Sequence, residues 1–182
     1  MTAKVEAKIV RTLLRDAVGP PLASLGFERA KTTLPCWRRE HAGAWLAVTF
    51  PFHKYGWHER FGSSFELKFH VGADADSFSR PLAFAWFNQL LDADELEALQ
   101  ARNNRVAASI DAPYYEDPGR PQETIDWDRM ALLVRTTPYR PHESVSLYYR
   151  SRDDAEAWAA YFGGTISSLL ARFIERLAVE AG

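Results

Sequence analysis

Two runs of alternating apolar and polar residues, AWLAVTF from Ala44 and FELKFHVG ending at Gly72, constrain the fold of this chain more than any other feature. Side chains on a strand point to opposite faces with period two. Leu46, Val48 and Phe50 therefore share one face of the first run, and Trp45, Ala47 and Thr49 the other. In the second run Phe65, Leu67, Phe69 and Val71 alternate with Ser64, Glu66, Lys68 and His70. Each strand thus has an apolar face for a core and a mixed face for water or a ligand. Between them the loop His53 to Arg60 carries Tyr55, Trp57, His58 and Arg60. The segment reads as a hairpin with chemistry at one end and on one side.

The rest of the chain reads as partners for that hairpin. Lys4 to Leu25 is a helix with Val5, Ile9, Leu13, Ala17 and Val18 as its apolar stripe. Gly19, Pro20 and Pro21 predict a break or kink before a short turn ends at Gly26. In Leu25-Gly26-Phe27 the glycine reads as a left-handed helix stop. Thr32 to Glu40 is a strand, expected at a sheet edge because Pro35 cannot donate to a ladder. His41, Ala42 and Gly43 turn it into the strand from Ala44.

After Gly72, Ala73 to Ser77 reads as a turn, and Pro81 opens a helix carrying Leu82, Phe84, Trp86, Phe87, Leu90 and Leu91. Asp92 and Glu95 form a capping-box pattern for a helical segment with Leu96 and Leu99, ended by Arg102, Asn103 and Asn104. Arg105 to Ile110 reads as a short strand and Asp111 to Glu123, with three prolines, as a loop. Met130 to Arg135 is ambiguous between helix and strand, and Ser144 to Arg150 is a strand. Ser151 and Asp154 open a C-terminal helix whose stripe runs Trp158, Phe162, Ile166, Leu169, Phe173 and Leu177 across Gly163 and Gly164. Consecutive strands with modest loops form an antiparallel meander without helical crossovers. The fold class expected is α+β, a single domain over 1–182 with a mainly antiparallel sheet flanked by N-terminal, middle and C-terminal helices.

The order of these features resembles a family of uncharacterised bacterial proteins, a domain of unknown function. The resemblance is carried by the helix ending in Leu25-Gly26-Phe27, the strand containing Trp37, AWLAVTF with its aromatic and histidine-bearing loop, FELKFHVG, and the helix opening SRDDAEAWAAYF. It covers roughly the first 75 residues and the last 35, and leaves the middle, from about Pro81 to His142, unmatched. It implies an α+β fold and no assigned function, and it transfers no catalytic residues.

Composition removes several functions. A net charge of −2 gives no basis for binding nucleic acid, which needs an excess of Lys and Arg, and a membrane surface is disfavoured for the same reason. Ala157 to Ala171 is uncharged but too short and polar to cross a bilayer. Cys36 is the lone cysteine, which fits a reducing cytoplasm and a small core residue more than a reactive thiolate. No signal-peptide pattern opens the chain.

Chemistry has few starting points. His53, His58, Glu59, Glu66 and His70 are metal-ligand types clustered on the hairpin, yet their spacing matches no established site. His58-Glu59 and His142-Glu143 each lack the second histidine of the zinc-protease helix. Ser63-Ser64 has no nucleophile elbow, and no phosphate-cradling glycine pattern occurs. Asp74 with Asp76 reads as a solvated turn more than a site for a hard cation, and Asp126 with Asp128 around Trp127 fits equally a pair flanking a substrate and a helix cap at Asp126.

What the residues offer is a recognition surface of Tyr55, Trp57, His58 and Arg60 with Glu66, Lys68 and His70, because aromatic rings and Arg concentrate where proteins bind. The expectation is a non-catalytic ligand- or protein-binding domain without a cofactor, its partner a small molecule or a protein. The alternatives are a metal-dependent hydrolase with a histidine-centred site at 53–70, and an immunity-type protein that neutralises a toxin. Nothing in the sequence fixes an oligomeric state.

Overall fold

The computed structural model describes residues 4–32, 34–53, 57, 62–74, 81–107 and 144–180. They form an α+β domain in which a mainly antiparallel sheet is backed by helices. The chain opens with helix α1, Ala7–Ser24, which buries Val10, Leu14, Val18 and Leu22 at steps of four. The buried stripe is thus one residue out of phase with the expected one, and Ile9 is exposed. Two adjacent rows of α1 are apolar, so periodicity alone could not choose between them.

The helix continues through Pro20 and Pro21 to Ser24, so the expected break does not occur. A proline at position i leaves the carbonyl of residue i−4 without its helical donor. For Pro21 that carbonyl is Ala17's, and it faces Gly163 on the C-terminal helix, where an added Cβ would lie 3.1 Å away. Packing on the rest of the domain holds the last turn in place. The stop falls where Leu25-Gly26-Phe27 places it. Gly26 has φ +79°, its N–H bonds Ala23 O and the Phe27 N–H bonds Leu22 O, the two hydrogen bonds of a Schellman motif.

Strands β1 (Glu28–Arg29), β2 (Cys36–His41), β3 (Ala44–Thr49), β4 (Ser63–Phe65), β5 (Lys68–Gly72) and β6 (Ala83–Trp86) follow. The main sheet has the order β1-β2-β3-β5-β6, with every neighbouring pair antiparallel. The first long strand therefore starts at Cys36 rather than Thr32 and is not an edge, because the two residues of β1 pair along it. Pro35 lies just before it and contributes its carbonyl to the Phe50 N–H. Between β2 and β3, Ala42 at φ 50° and Gly43 at φ 79° supply the two positive φ angles of a tight hairpin turn.

The β3–β5 register pairs Thr49 with Lys68, and the same register continues outward, through Glu66 N–H to Pro51 O and His53 N–H to Ser64 O. Strands β4 and β5 are two halves of one extended run. On its outer edge β6 pairs with the inner half and β7 (Leu147–Tyr149) with the outer half.

The segment after Pro81 is a strand followed by a 3-10 turn at Phe87–Leu90, not the expected helix. The alternation was present: Leu82 is 69% and Phe84 50% exposed, while Ala85 and Phe87 are buried. Helix α2, Ala93–Ala107, opens on the expected capping box, with Glu95 N–H to Asp92 Oδ1 at 2.8 Å and Asp92 N–H to Glu95 Oε2 at 3.0 Å. It passes through Arg102, Asn103 and Asn104 and takes in Arg105 to Ala107, where a strand was expected. Asn103 is buried because its side-chain amide completes β7, donating to Ser146 O and accepting from the Tyr148 N–H.

The strand expected from Ser144 shortens to Leu147–Tyr149. Helix α3, Arg152–Glu180, starts at the Ser151–Asp154 box and carries the expected stripe, buried from Trp158 to Phe173. The expectations for 108–143, including the proline-rich loop, Asp126, Asp128, Met130 to Arg135 and His142-Glu143, lie outside the described residues.

The core lies between α1, α3 and one face of the sheet. Phe50, Leu67 and Phe69 are fully buried on that face, and Phe162 of α3 meets Phe50, Phe65 and Phe87 with ring centroids 5.4–6.2 Å apart. Among the described residues no helix is long and apolar enough to cross a membrane.

Candidate functional site

The strand registers determine what stands on the opposite face of the sheet. Directly paired residues point to the same side, so Cys36, Thr49, Lys68 and Trp86 form one row across four strands. Arg38, Ala47, His70 and Phe84 form the next. Trp45 stands in the row beyond, opposite Gly72. The buried apolar residues here, Ala30, Cys36 and Ala47, make a small cluster separate from the helix-packed core.

This face contains a recess of about 220 Å³. Cys36, Thr49 and His70 line its sheet side, Lys68 flanks them, and Thr32, Leu34 and Pro51 edge it. Thr49 and His70 are buried, and their Oγ1 and Nε2 atoms are hydrogen-bonded at 2.8 Å. Burial first, and the neighbouring Lys68 ammonium second, push the His70 pKa down to about 4. The imidazole is therefore neutral at physiological pH and presents one donor and one acceptor nitrogen.

Lys68 is held from two sides. Its Nζ lies 3.7 Å from the centre of the Trp86 ring and 3.6 Å from Glu66 Oε2. Burial raises the Glu66 pKa, and the ammonium only partly offsets that rise. Across the sheet Arg38 stacks on Trp45, with its guanidinium carbon 5.5 Å from the ring centre.

Of the residues singled out from the sequence, the structure brings together Glu66, Lys68 and His70. Trp57 is partly buried and packs against the core cluster, with no hydrogen-bond partner for its Nε1 among the described residues. Tyr55, His58 and Arg60 lie outside the described residues. Sequence reading missed Thr49 and Cys36 as neighbours of His70, and Thr32, Leu34 and Pro51 as the rim. The mixed alternation pointed to Thr49, but only the register places it opposite Lys68.

A second recess of about 180 Å³ lies between α2 and α3, beside Arg102, Arg105, Asp154 and Trp158. Two of its polar groups already serve the fold: Arg102 stacks on Tyr161 and Trp158, and Asp154 caps α3. Among the described residues no three His, Cys, Asp or Glu side chains converge as a metal site would require. No protein-family model matches the sequence, and comparison with curated proteins and with solved structures finds no match for it.

Proposed function

We propose that this protein is a non-catalytic binding domain and that the recess on the second sheet face is its ligand site. The observation that carries this reading is the Thr49–His70 pair, two polar side chains buried in the wall of a cavity beside an oriented ammonium. Small-molecule sites combine an apolar lining with a few convergent polar groups in this way. Binding is favoured over chemistry by the state of the imidazole. A general base works best with a pKa near the operating pH, and a group at about 4 is a weak base at neutrality. On this reading the protein works in the cytoplasm, where Cys36 stays reduced, and it belongs with the uncharacterised bacterial proteins that its ordered elements resemble.

The test is a fragment screen followed in the amide spectrum of the labelled protein. Hits should perturb Thr49, Lys68 and His70 as one group. Hits that map instead to the recess between α2 and α3 would overturn the assignment.

A further inference from the structure

The chemistry of the recess narrows what it can hold, and this step rests on the reading of the recess as a ligand site. With His70 neutral, Lys68 is the one cation among the described residues that line the cavity. Its charge is already partly balanced by Glu66 at 3.6 Å. A dianion such as a phosphate monoester would bring more negative charge than one shared ammonium can match, and it would sit close to the Glu66 carboxylate. A neutral ligand would leave the ammonium with only Glu66 and the Trp86 ring as partners among the described residues and would gain nothing from its charge. A single delocalised negative charge suits the site: with His70 Nε2–H donating to Thr49 Oγ1, the Thr49 hydroxyl can donate to one carboxylate oxygen while Lys68 donates to the other.

Size and lining supply the rest. About 220 Å³ is smaller than the roughly 300–1,000 Å³ of drug-sized sites, so the ligand is small. Leu34, Pro51 and Cys36 give the cavity an apolar part to its lining. We infer that the recess binds a small monocarboxylate, its carboxylate between Lys68 and the Thr49–His70 pair and its hydrocarbon part against Leu34, Pro51 and Cys36.

Hexanoate and its uncharged counterpart hexanamide are the probes, titrated into wild type and Lys68→Met while the Thr49 and His70 resonances are followed. Methionine keeps an unbranched apolar chain against Trp86 and removes the ammonium, both its charge and its hydrogen-bond donors. Hexanoate should shift both resonances in wild type and bind at least tenfold more weakly to Lys68→Met, and hexanamide should bind both proteins as weakly as hexanoate binds the variant. Equal affinity of the two probes for wild type, or hexanoate affinity unchanged in Lys68→Met, would overturn the carboxylate assignment and leave the pocket standing. Shifts from neither probe would remove the pocket reading and the inference together. A Lys68→Met spectrum that departs from wild type beyond its immediate neighbours calls for Lys68→Gln, judged by the same criteria.

Discussion

The two faces of the sheet are built from the same strands and do opposite things. On the helix side Phe50, Leu67 and Phe69 meet α1 and α3, with large rings in contact and almost no polar atoms. On the other side the central positions are small or polar, Cys36, Ala47, Thr49 and His70, and the large rings of Trp45, Phe84 and Trp86 stand around them. Large side chains in the middle of a face fill space and hold layers together. Small ones in the middle with large ones around them leave a hollow. The contrast teaches that one face supplies stability, while the other uses the rigidity so gained to hold a few polar groups in fixed positions.

The largest effects should come from the helix side. Phe50→Ala or Phe69→Ala removes a fully buried ring and should cost about 3–5 kcal/mol in denaturant unfolding. A loss below about 0.5 kcal/mol at both would mean that the faces are assigned the wrong way round. Next comes Gly62, at φ +69°, where an added Cβ would lie 1.9 Å from the Tyr149 carbonyl oxygen. The clash is with backbone, so Gly62→Ala should cost at least about 2 kcal/mol and separate β4 from β7. An unchanged unfolding midpoint would show that this junction yields easily.

The two glycines of α3 sharpen the comparison within the helix layer. Gly164 faces open space, so Gly164→Ala should stabilise by about 1 kcal/mol through helix propensity. Gly163 has Ala17 O 3.1 Å from where its Cβ would be, and Gly163→Ala should destabilise by about 1 kcal/mol as the two helices are pushed apart. Equal effects would show that α1 and α3 are not closely seated there. The smallest change belongs to the second face. Lys68→Met should alter stability by no more than about 1 kcal/mol, since a single ion pair near the surface contributes little. A loss comparable to Phe50→Ala would make Lys68 part of the fold rather than of a site.

How far these faces were legible depends on how local their causes are. The hairpin alternation, the Gly26 stop and both capping boxes involve residues within a few positions of one another, and they form as read. The helix expected after Pro81 fails because Phe84, Trp86, Phe87, Leu90 and Leu91 satisfy helical spacing while Leu82, Phe84 and Trp86 also alternate. Pairing with β5 decides between the two, and that partner is distant in sequence. Asn103 reads as a helix end until β7 is seen to need its amide. The recess depends on distant pairing most of all. Cys36, Thr49 and Lys68 come from three strands, and one residue of slip in either pairing would send a member to the opposite face.

The central claim is that the second face encloses its polar groups, and the pKa of His70 reports on it directly. Below pH 6.5 the unfolded chain takes up a proton that folded His70 refuses, so its contribution to stability is complete above that pH and is lost as pH falls through about 4. Glu66, with its raised pKa, acts in the opposite sense, so the overall stability mixes the two groups. The ring resonance of His70 isolates one of them. Followed by NMR through an acid titration of the folded protein, it should change at a midpoint near 4. A midpoint near the ordinary 6.5 would mean that water reaches the imidazole freely and that the face holds no enclosed site.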